Sequence, residues 1–129
     1  MKVKKVLVLT DGSKETVKMA AGIADGLKGI NVLVKSAVEF KGNDILPAEA
    51  FFLGCEKPEP DTFAYITDLF KHINLVGRPC GVFSPGSDKA AKYLAGLIKD
   101  SEAALKGEPF TGSVADIGKW AKGVVSGSL

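Results

Sequence analysis

The chain has 129 residues, 46% of them hydrophobic and 25% charged, and a formal net charge of +2. This length supplies one hydrophobic core but not two, so we expect a single domain over residues 1–129, and the ordinary composition excludes a disordered or fibrous protein. The lysines form no basic block and no window is apolar enough to span a membrane, so we expect a cytoplasmic protein without nucleic-acid or membrane partners.

The first third of the sequence predicts a strand, a helix and a second strand. The apolar run Val6-Leu7-Val8-Leu9 is typical of a central parallel strand buried on both faces, and it ends near Thr10. A helix is expected from Ser13, with Gly29 as its C-terminal stop. The residues of its expected buried stripe recur at helical spacing: Val17, Ala20, Ala21, Ala24 and Leu27. Residues 31–34 form the second strand, with Val38 and Phe40 extending or following it.

The middle of the chain predicts a strand and a helix between irregular segments. Residues 41–49, KGNDILPAE, contain Gly and Pro and supply at most one turn of helix. Residues 50–53 form the third strand, which Gly54 stops. The loop EKPEPD follows, and its two prolines exclude a strand or helix interior. Helical spacing then resumes at four apolar residues: Phe63, Ile66, Phe70 and Ile73.

The fourth strand covers residues 79–83 and ends in the turn Ser84-Pro85-Gly86. Ser87 is the expected N-cap of a long helix that runs to about Lys106. Its predicted apolar stripe consists of Ala91, Leu94, Ala95, Ile98 and Leu105.

The end of the chain predicts a weak fifth strand near Phe110 and a last helix. Ser113 and Asp116 have the spacing of a capping box. The helix that follows carries an apolar face formed by Ile117, Trp120, Ala121 and Val124. We expect Trp120 to be a core residue.

Strands that alternate with helices predict right-handed crossovers and an α/β fold. We expect an open, doubly wound, five-stranded parallel sheet of order 2-1-3-4-5, in which the helix between strands two and three is short or absent. In this strand order, ligands bind at the carboxyl ends of strands one and three. The candidate ligand loops are therefore DGSKET, CEKPEPD and SPGSD.

Four segments resemble the flavodoxin-like family, in chain order. KVLVLTDGSKETVKMAAGIADGL resembles the first strand, phosphate loop and first helix, and AFFLGC resembles the third strand. GVFSPGSDKAAKYLAGL is similar to the fourth strand with its loop and helix, and DIGKWA is similar to the final helix. The resemblance implies a flavodoxin-like fold that binds FMN and exchanges one or two electrons with a redox partner protein, without a catalytic residue or a metal site.

The resemblance also implies which loops hold the cofactor. The first loop would hold the phosphate with hydroxyls, backbone N–H groups and a helix N-terminus. It contains Thr10, Asp11, Gly12, Ser13, Lys14, Glu15 and Thr16. The other two loops would contact the flavin ring, and they contain Cys55, Glu56, Lys57, Ser84, Pro85, Gly86 and Ser87.

The first loop departs from the family's pattern. Ser13 and Thr16 keep the hydroxyl chemistry, but Lys14 and Glu15 replace a Gly and an Asn of the family. A carboxylate about 6 Å from a phosphate charge costs about 3 kcal/mol at an effective dielectric near 20. Asp11 and Glu15 therefore oppose the phosphate, and Lys14 offsets one of them. We expect a weakened or lost FMN site.

The ring-binding loops also depart from the pattern. The family usually places aromatic side chains against the flavin ring, and the second and third loops contain none. Tyr65 or Phe63, on the helix that follows the third strand, would have to reach back, although Phe63 belongs to the predicted buried stripe. This lack of aromatic residues leaves open a non-redox binding or regulatory module on the same scaffold.

Two further hypotheses start from single residues. Cys55 would be a redox-active thiol if a helix N-terminus and Lys57 stabilised its thiolate. Otherwise Cys55 and Cys80 are buried thiols, too far apart along the sheet for a disulfide. His72, in the last turn of its helix, is expected to be structural.

Asp11 also invites comparison with phospho-acceptor receiver domains, in which an aspartate here would bind Mg²⁺. A receiver needs an aspartate at the end of strand three and a lysine at the end of strand five. This chain has Gly54-Cys55-Glu56 and Phe110-Thr111-Gly112 at those positions. We therefore expect Asp11 to cap a turn.

Overall fold

A computed structural model of the chain describes residues 4–39, 47–57, 61–72, 78–99, 104–105, 109–112 and 114–126. Strands and helices alternate along these residues. The strands are β1 (Lys5–Thr10), β2 (Asn31–Ser36), β3 (Ala50–Gly54), β4 (Pro79–Phe83) and the two-residue β5 (Ala104–Leu105). The helices are α1 (Lys14–Gly26), α2 (Ala64–His72), α3 (Asp88–Lys99) and α4 (Val114–Ser126).

The strands form a parallel sheet with β1 in its centre. β1 pairs with β2 on one side and with β3 on the other, and β3 pairs with β4, which confirms the predicted order 2-1-3-4. At the outer side of β4, the two residues of β5 pair with Pro79 and Cys80. The apolar run of β1 is buried on both faces of the sheet, as predicted.

Helices cover both faces of the sheet. α1 and α4 pack on the face that presents Val8 and Phe52, and α2 and α3 pack on the face that presents Leu9 and Phe51. Each phenylalanine is fully buried, and burial of such a side chain contributes about 1.5–3 kcal/mol. Within the described ranges, every helix is too short or too polar to span a lipid bilayer.

The predicted buried face of α1 is wrong in part. Ala20 and Leu27 are buried as expected, but Val17 is 43% exposed and Ala21 is exposed. The helix instead buries Thr16, Met19, Ala20 and Ile23. The reason is size, because the rotation that buries Met19 and Ile23 removes more apolar area from water than the one that buries small alanines. Gly29 has a φ of +85°, as its predicted role as a helix stop requires.

The end of α3 also differs from the prediction. The helix ends at Lys99, short of Lys106, and Leu105 belongs to β5. The fifth strand expected near Phe110 is replaced by an isolated bridge between Phe110 and Phe83. Ala104 and Leu105 pair with Pro79 and Cys80 of β4, and the helical spacing of Leu105 did not reveal this pairing.

Other predictions are confirmed or fall outside the described residues. The predicted bounds of the fourth strand are those of β4, and Ile117, Ala121 and Val124 are buried on α4. The predicted short or absent helix at 41–49 lies mostly outside the described residues, as do Phe40, Ile73, Ser113 and the tail.

Candidate functional site

The three predicted ligand loops lie at one edge of the sheet. Residues 11–13 follow β1, residues 55–57 follow β3 and residues 84–87 follow β4, three neighbouring parallel strands. The backbone N–H of Asp11 donates to the carbonyl of Gly54 (3.2 Å), and that of Cys55 donates to the carbonyl of Phe83 (3.4 Å). The loops therefore meet at the carboxyl ends of the strands, where open α/β sheets bind ligands.

A tight turn connects β1 to α1. The hydroxyl of Thr10, which is buried, accepts a hydrogen bond from the N–H of Gly12 (3.2 Å). Gly12 has a φ of +82°, a conformation that favours glycine because it crowds a Cβ. The turn brings Ser13 to the N-cap position of α1.

The Asp11 carboxylate points back into its own loop. Its Oδ1 accepts hydrogen bonds from the N–H of Ser13 (3.0 Å) and from the hydroxyl of Ser13 (2.7 Å). Its Oδ2 accepts a hydrogen bond from the N–H of Glu56 in the second loop (2.9 Å). Asp11 thus caps a turn, as predicted, and it also ties the first loop to the second.

The charged residues at the start of α1 lie at the surface. Lys14 and Glu15 are exposed in the first turn, and Glu15 forms an ion pair with Lys18, at 3.6 Å. With more than half of both side chains exposed, this ion pair is screened by solvent and stabilises the fold little.

The second loop carries two charged side chains that are exposed to solvent. Cys55 is fully buried, whereas Glu56 and Lys57 are exposed. Cys55 and Cys80 both pack in the core against α2 and α3. Burial raises the pKa of the Cys80 thiol. A buried Cys55 sulfur is a poor match for the redox-active thiol considered from the sequence, since such thiols need access to their partners.

The third loop uses its polar groups for local structure. The N–H of Ser84 donates to the carbonyl of Phe110 (2.8 Å), while the Ser84 hydroxyl is buried and has no hydrogen-bond partner among the described residues. Pro85 is partly exposed, and Gly86 has a φ of +81°. The hydroxyl of Ser87 accepts the N–H of Ala90 (3.1 Å), which confirms Ser87 as an N-cap.

The aromatic side chains considered as ring contacts belong mainly to the core. Phe63 is buried and forms an edge contact with Tyr93. Trp120 is partly buried and packs against Phe52 and Phe110, with ring centroids 5.5 Å and 5.2 Å away, so it borders the core as the predicted packing role requires. Tyr65, on the first turn of α2, is 48% exposed.

The first loop does not fit a phosphate group as it stands. A phosphate needs N–H and hydroxyl donors that point outward, and both donors of Ser13 already serve Asp11. A carboxylate about 6 Å from a phosphate charge adds about 3 kcal/mol of repulsion. A helix N-terminus returns only about 0.3–2 kcal/mol.

Sequence reasoning missed the bond between the Asp11 carboxylate and the Glu56 N–H. The sequence carried part of the signal, because Asp-Gly-Ser before a helix is typical of a turn in which Asp accepts the N–H two residues later. The N–H that donates to the other carboxylate oxygen belongs to Glu56, 45 residues further along the chain, and no local pattern predicts this bond.

A separate cavity of about 190 Å³ lies at the opposite end of the strands. Its wall includes Lys5, Asn31, Leu33, Pro47 and Ala48. Because these residues lie at the amino ends of β1, β2 and β3, the cavity is not part of the loop cluster.

The chain is similar in structure to several flavodoxins over nearly its whole length. A flavodoxin from Streptococcus pneumonia TIGR4 gives a TM-score of 0.77 at 17% identity, covering 97% of this chain and 99% of that one. A short-chain flavodoxin associated with a non-canonical PDU bacterial microcompartment gives 0.79 at 15% identity, covering 99% and 100%. Oxidised flavodoxin 2 from Bacillus cereus gives 0.81 at 16% identity, covering 97% and 99%.

Sequence comparison adds no closer relative. No protein-family model matches the chain, and no curated protein matches it. At identities of 15–17%, the structural likeness establishes the fold. The chain has a flavodoxin-like α/β fold with a parallel sheet.

Proposed function

We propose that the chain is a flavodoxin-like electron-transfer protein that binds a flavin among the three loops, with weakened affinity for FMN. The observation that carries the proposal is the match to flavodoxins over 97–99% of this chain and 99–100% of theirs.

The position of the loops supports the same function. The strands that follow β1 in the chain are placed on opposite sides of it, β2 on one side and β3 on the other. The crevice at such a switch point, between β1 and β3, is where open α/β sheets bind cofactors. Two hydrogen bonds, from Asp11 N–H to Gly54 and from Glu56 N–H to Asp11, hold the first two loops side by side there. A flavin bound there would supply one- and two-electron chemistry.

An electron carrier of this kind acts on other proteins and converts no substrate. The proposal therefore includes a redox partner protein, which would approach the edge of the sheet that carries the loops. Glu56 and Lys57, in the second loop, are exposed there. Charges of both signs favour orientation of a partner over strong attraction.

Titration of the purified protein into FMN tests the function. We expect saturable quenching of flavin fluorescence with a dissociation constant on the order of 100 µM or below. The same protein unfolded in urea is the control, because it keeps the composition and loses the crevice. If the folded protein leaves the fluorescence unchanged at several times that concentration, FMN-dependent electron transfer is rejected. If riboflavin also fails to bind, a binding or regulatory module takes its place.

A further inference from the structure

The Asp11 carboxylate already has the hydrogen bonds that a bound anion would receive. Among the described residues, its two oxygens accept hydrogen bonds from the N–H of Ser13 (3.0 Å), the hydroxyl of Ser13 (2.7 Å) and the N–H of Glu56 (2.9 Å). Backbone N–H groups and hydroxyls beside a helix N-terminus are the donors that phosphate binds. Here an anion of the chain itself receives them.

The hydroxyl protons of Ser13 and Thr16 are committed as well. A hydroxyl has one proton, and a carboxylate only accepts hydrogen bonds. Ser13 therefore donates its proton to Asp11, and the 2.6 Å contact between Ser13 Oγ and Thr16 Oγ1 runs from Thr16 to Ser13. Thr16 is fully buried. At the side chains of Asp11, Ser13 and Thr16, a phosphate would meet oxygens with no proton to offer.

Moving the carboxylate aside breaks contacts in two loops. The Oδ2 bond to the Glu56 N–H links segments 45 residues apart in sequence, and the Oδ1 bonds hold the turn before α1. A phosphate must therefore displace a carboxylate that has three donors, or lie beside it and bear the repulsion of like charges.

We propose that the crevice selects a flavin without a terminal phosphate, of the riboflavin type, over FMN. This inference rests on the proposed function. The ribityl chain of riboflavin ends in a neutral hydroxyl, which can donate a hydrogen bond to the Asp11 carboxylate. The phosphate of FMN is an anion and an acceptor, so it has no favourable contact with Asp11.

Parallel titrations of the unmodified protein with riboflavin and with FMN test the inference, since the two flavins differ only in the phosphate. We expect riboflavin to bind at least as tightly as FMN. If FMN binds about tenfold more tightly, a difference of about 1.4 kcal/mol, the inference is overturned and the proposed function stands. If neither flavin binds, the proposed function is rejected and the inference falls with it.

Substitution identifies the residue responsible. Asp11→Asn removes the charge at almost constant shape, and we expect it to raise the affinity for FMN relative to riboflavin by about tenfold or more. Glu15→Gln is the matched control, because it removes an equal charge from a side chain that is 52% exposed and paired with Lys18. We expect the control to shift the ratio less than about threefold, since exposed charges are screened.

Two outcomes of the substitution experiment contradict the inference. One is an unchanged ratio of FMN to riboflavin affinity in folded Asp11→Asn. The other is an equal shift in Glu15→Gln, which would assign the effect to net charge. Circular dichroism of each variant establishes folding, and if Asp11→Asn does not fold, the titrations of the unmodified protein decide the question.

Discussion

Ser84 carries a buried hydroxyl that has no hydrogen-bond partner among the described residues. Its backbone N–H donates to the carbonyl of Phe110, so among the described residues it is the side chain that lacks a partner. An unsatisfied buried hydroxyl costs about 1–3 kcal/mol. Ser84 was predicted to contact a cofactor. Its buried hydroxyl is expected to lower the stability of the folded protein.

Replacing Ser84 with Ala is expected to raise the free energy of unfolding by about 1 kcal/mol, because it removes the unsatisfied group and keeps the backbone bonds. Urea denaturation measures the change. Ser87→Ala is the matched control in the same loop, and it should lower stability by about 1 kcal/mol because its hydroxyl caps α3. A loss of stability in Ser84→Ala would show that the hydroxyl has a partner.

At the site, the sequence predicted which residues lie in the loops but not how they are oriented. Asp11, Gly12 and Ser13 were expected at the end of β1, and Asp11 was expected to cap a turn. The direction of its second oxygen depends on Glu56, which approaches only when β3 pairs with β1. Long-range pairing decides that contact, so no local pattern contains it.

Helices α1 and α4 approach each other so closely that their backbones touch. A Cβ built on Gly26 would lie 2.4 Å from the Cα of Gly118, and one on Gly22 would lie 2.7 Å from a methyl carbon of Ile117. The glycines let the two helices pack tightly on one face of the sheet. A side chain at Gly26 would have to displace the backbone of Gly118, which costs more free energy than displacing a flexible side chain.

Gly26→Ala is therefore expected to lower the free energy of unfolding by about 1–3 kcal/mol, the usual cost of overpacking. Chemical denaturation measures the loss. Gly96→Ala in α3 is the control, since a Cβ there meets nothing within 4 Å. It should raise stability by about 0.5–1 kcal/mol, because alanine favours the helix. Equal effects of the two substitutions would contradict the close contact.

The helices also show where sequence patterns mislead. The stripe of Val17, Ala21 and Ala24 had correct helical spacing, but alanine carries little apolar area and barely defines a face. Met19 and Ile23 decide the rotation of α1, and both are buried. Leu105 has the helical spacing of the α3 stripe, but α3 ends at Lys99 and Leu105 lies in β5. Spacing alone cannot show where pairing with a strand replaces a helix.

For the molecule as a whole, one group links folding to alkaline pH. Cys80 is fully buried, and burial raises its pKa above the usual value near 9. The folded state keeps the proton on Cys80 at a pH where the unfolded chain has lost it. The stabilisation is complete below the unfolded pKa, and it is lost as pH rises above that value.

Between pH 7 and pH 10, the unmodified protein is expected to lose up to about 1.4 kcal/mol more stability than Cys80→Ala. Urea unfolding of both proteins at both pH values measures this difference. All groups that the two proteins share cancel in this difference. An equal loss in both proteins would show that the Cys80 thiol does not contribute.

The general architecture followed from the sequence because strands and helices alternate with clear turn signals. Residues 6–9 and 50–53 are continuous apolar runs, which indicate strands covered on both faces, and the structure has them at the centre of the sheet. The edge was harder to predict, because β5 has only two residues and its pairing depends on β4 being in place.

The central position of β1 has a consequence for synthesis on the ribosome. Glu49, which accepts hydrogen bonds from the N–H groups of Lys4 and Lys5, follows them by 45 and 44 residues. At about 5–20 residues per second, the nascent chain carries the apolar strand β1 for roughly 2–9 s before β3, its neighbour on one side, is translated. During that interval, chaperones at the exit tunnel have a hydrophobic segment to protect.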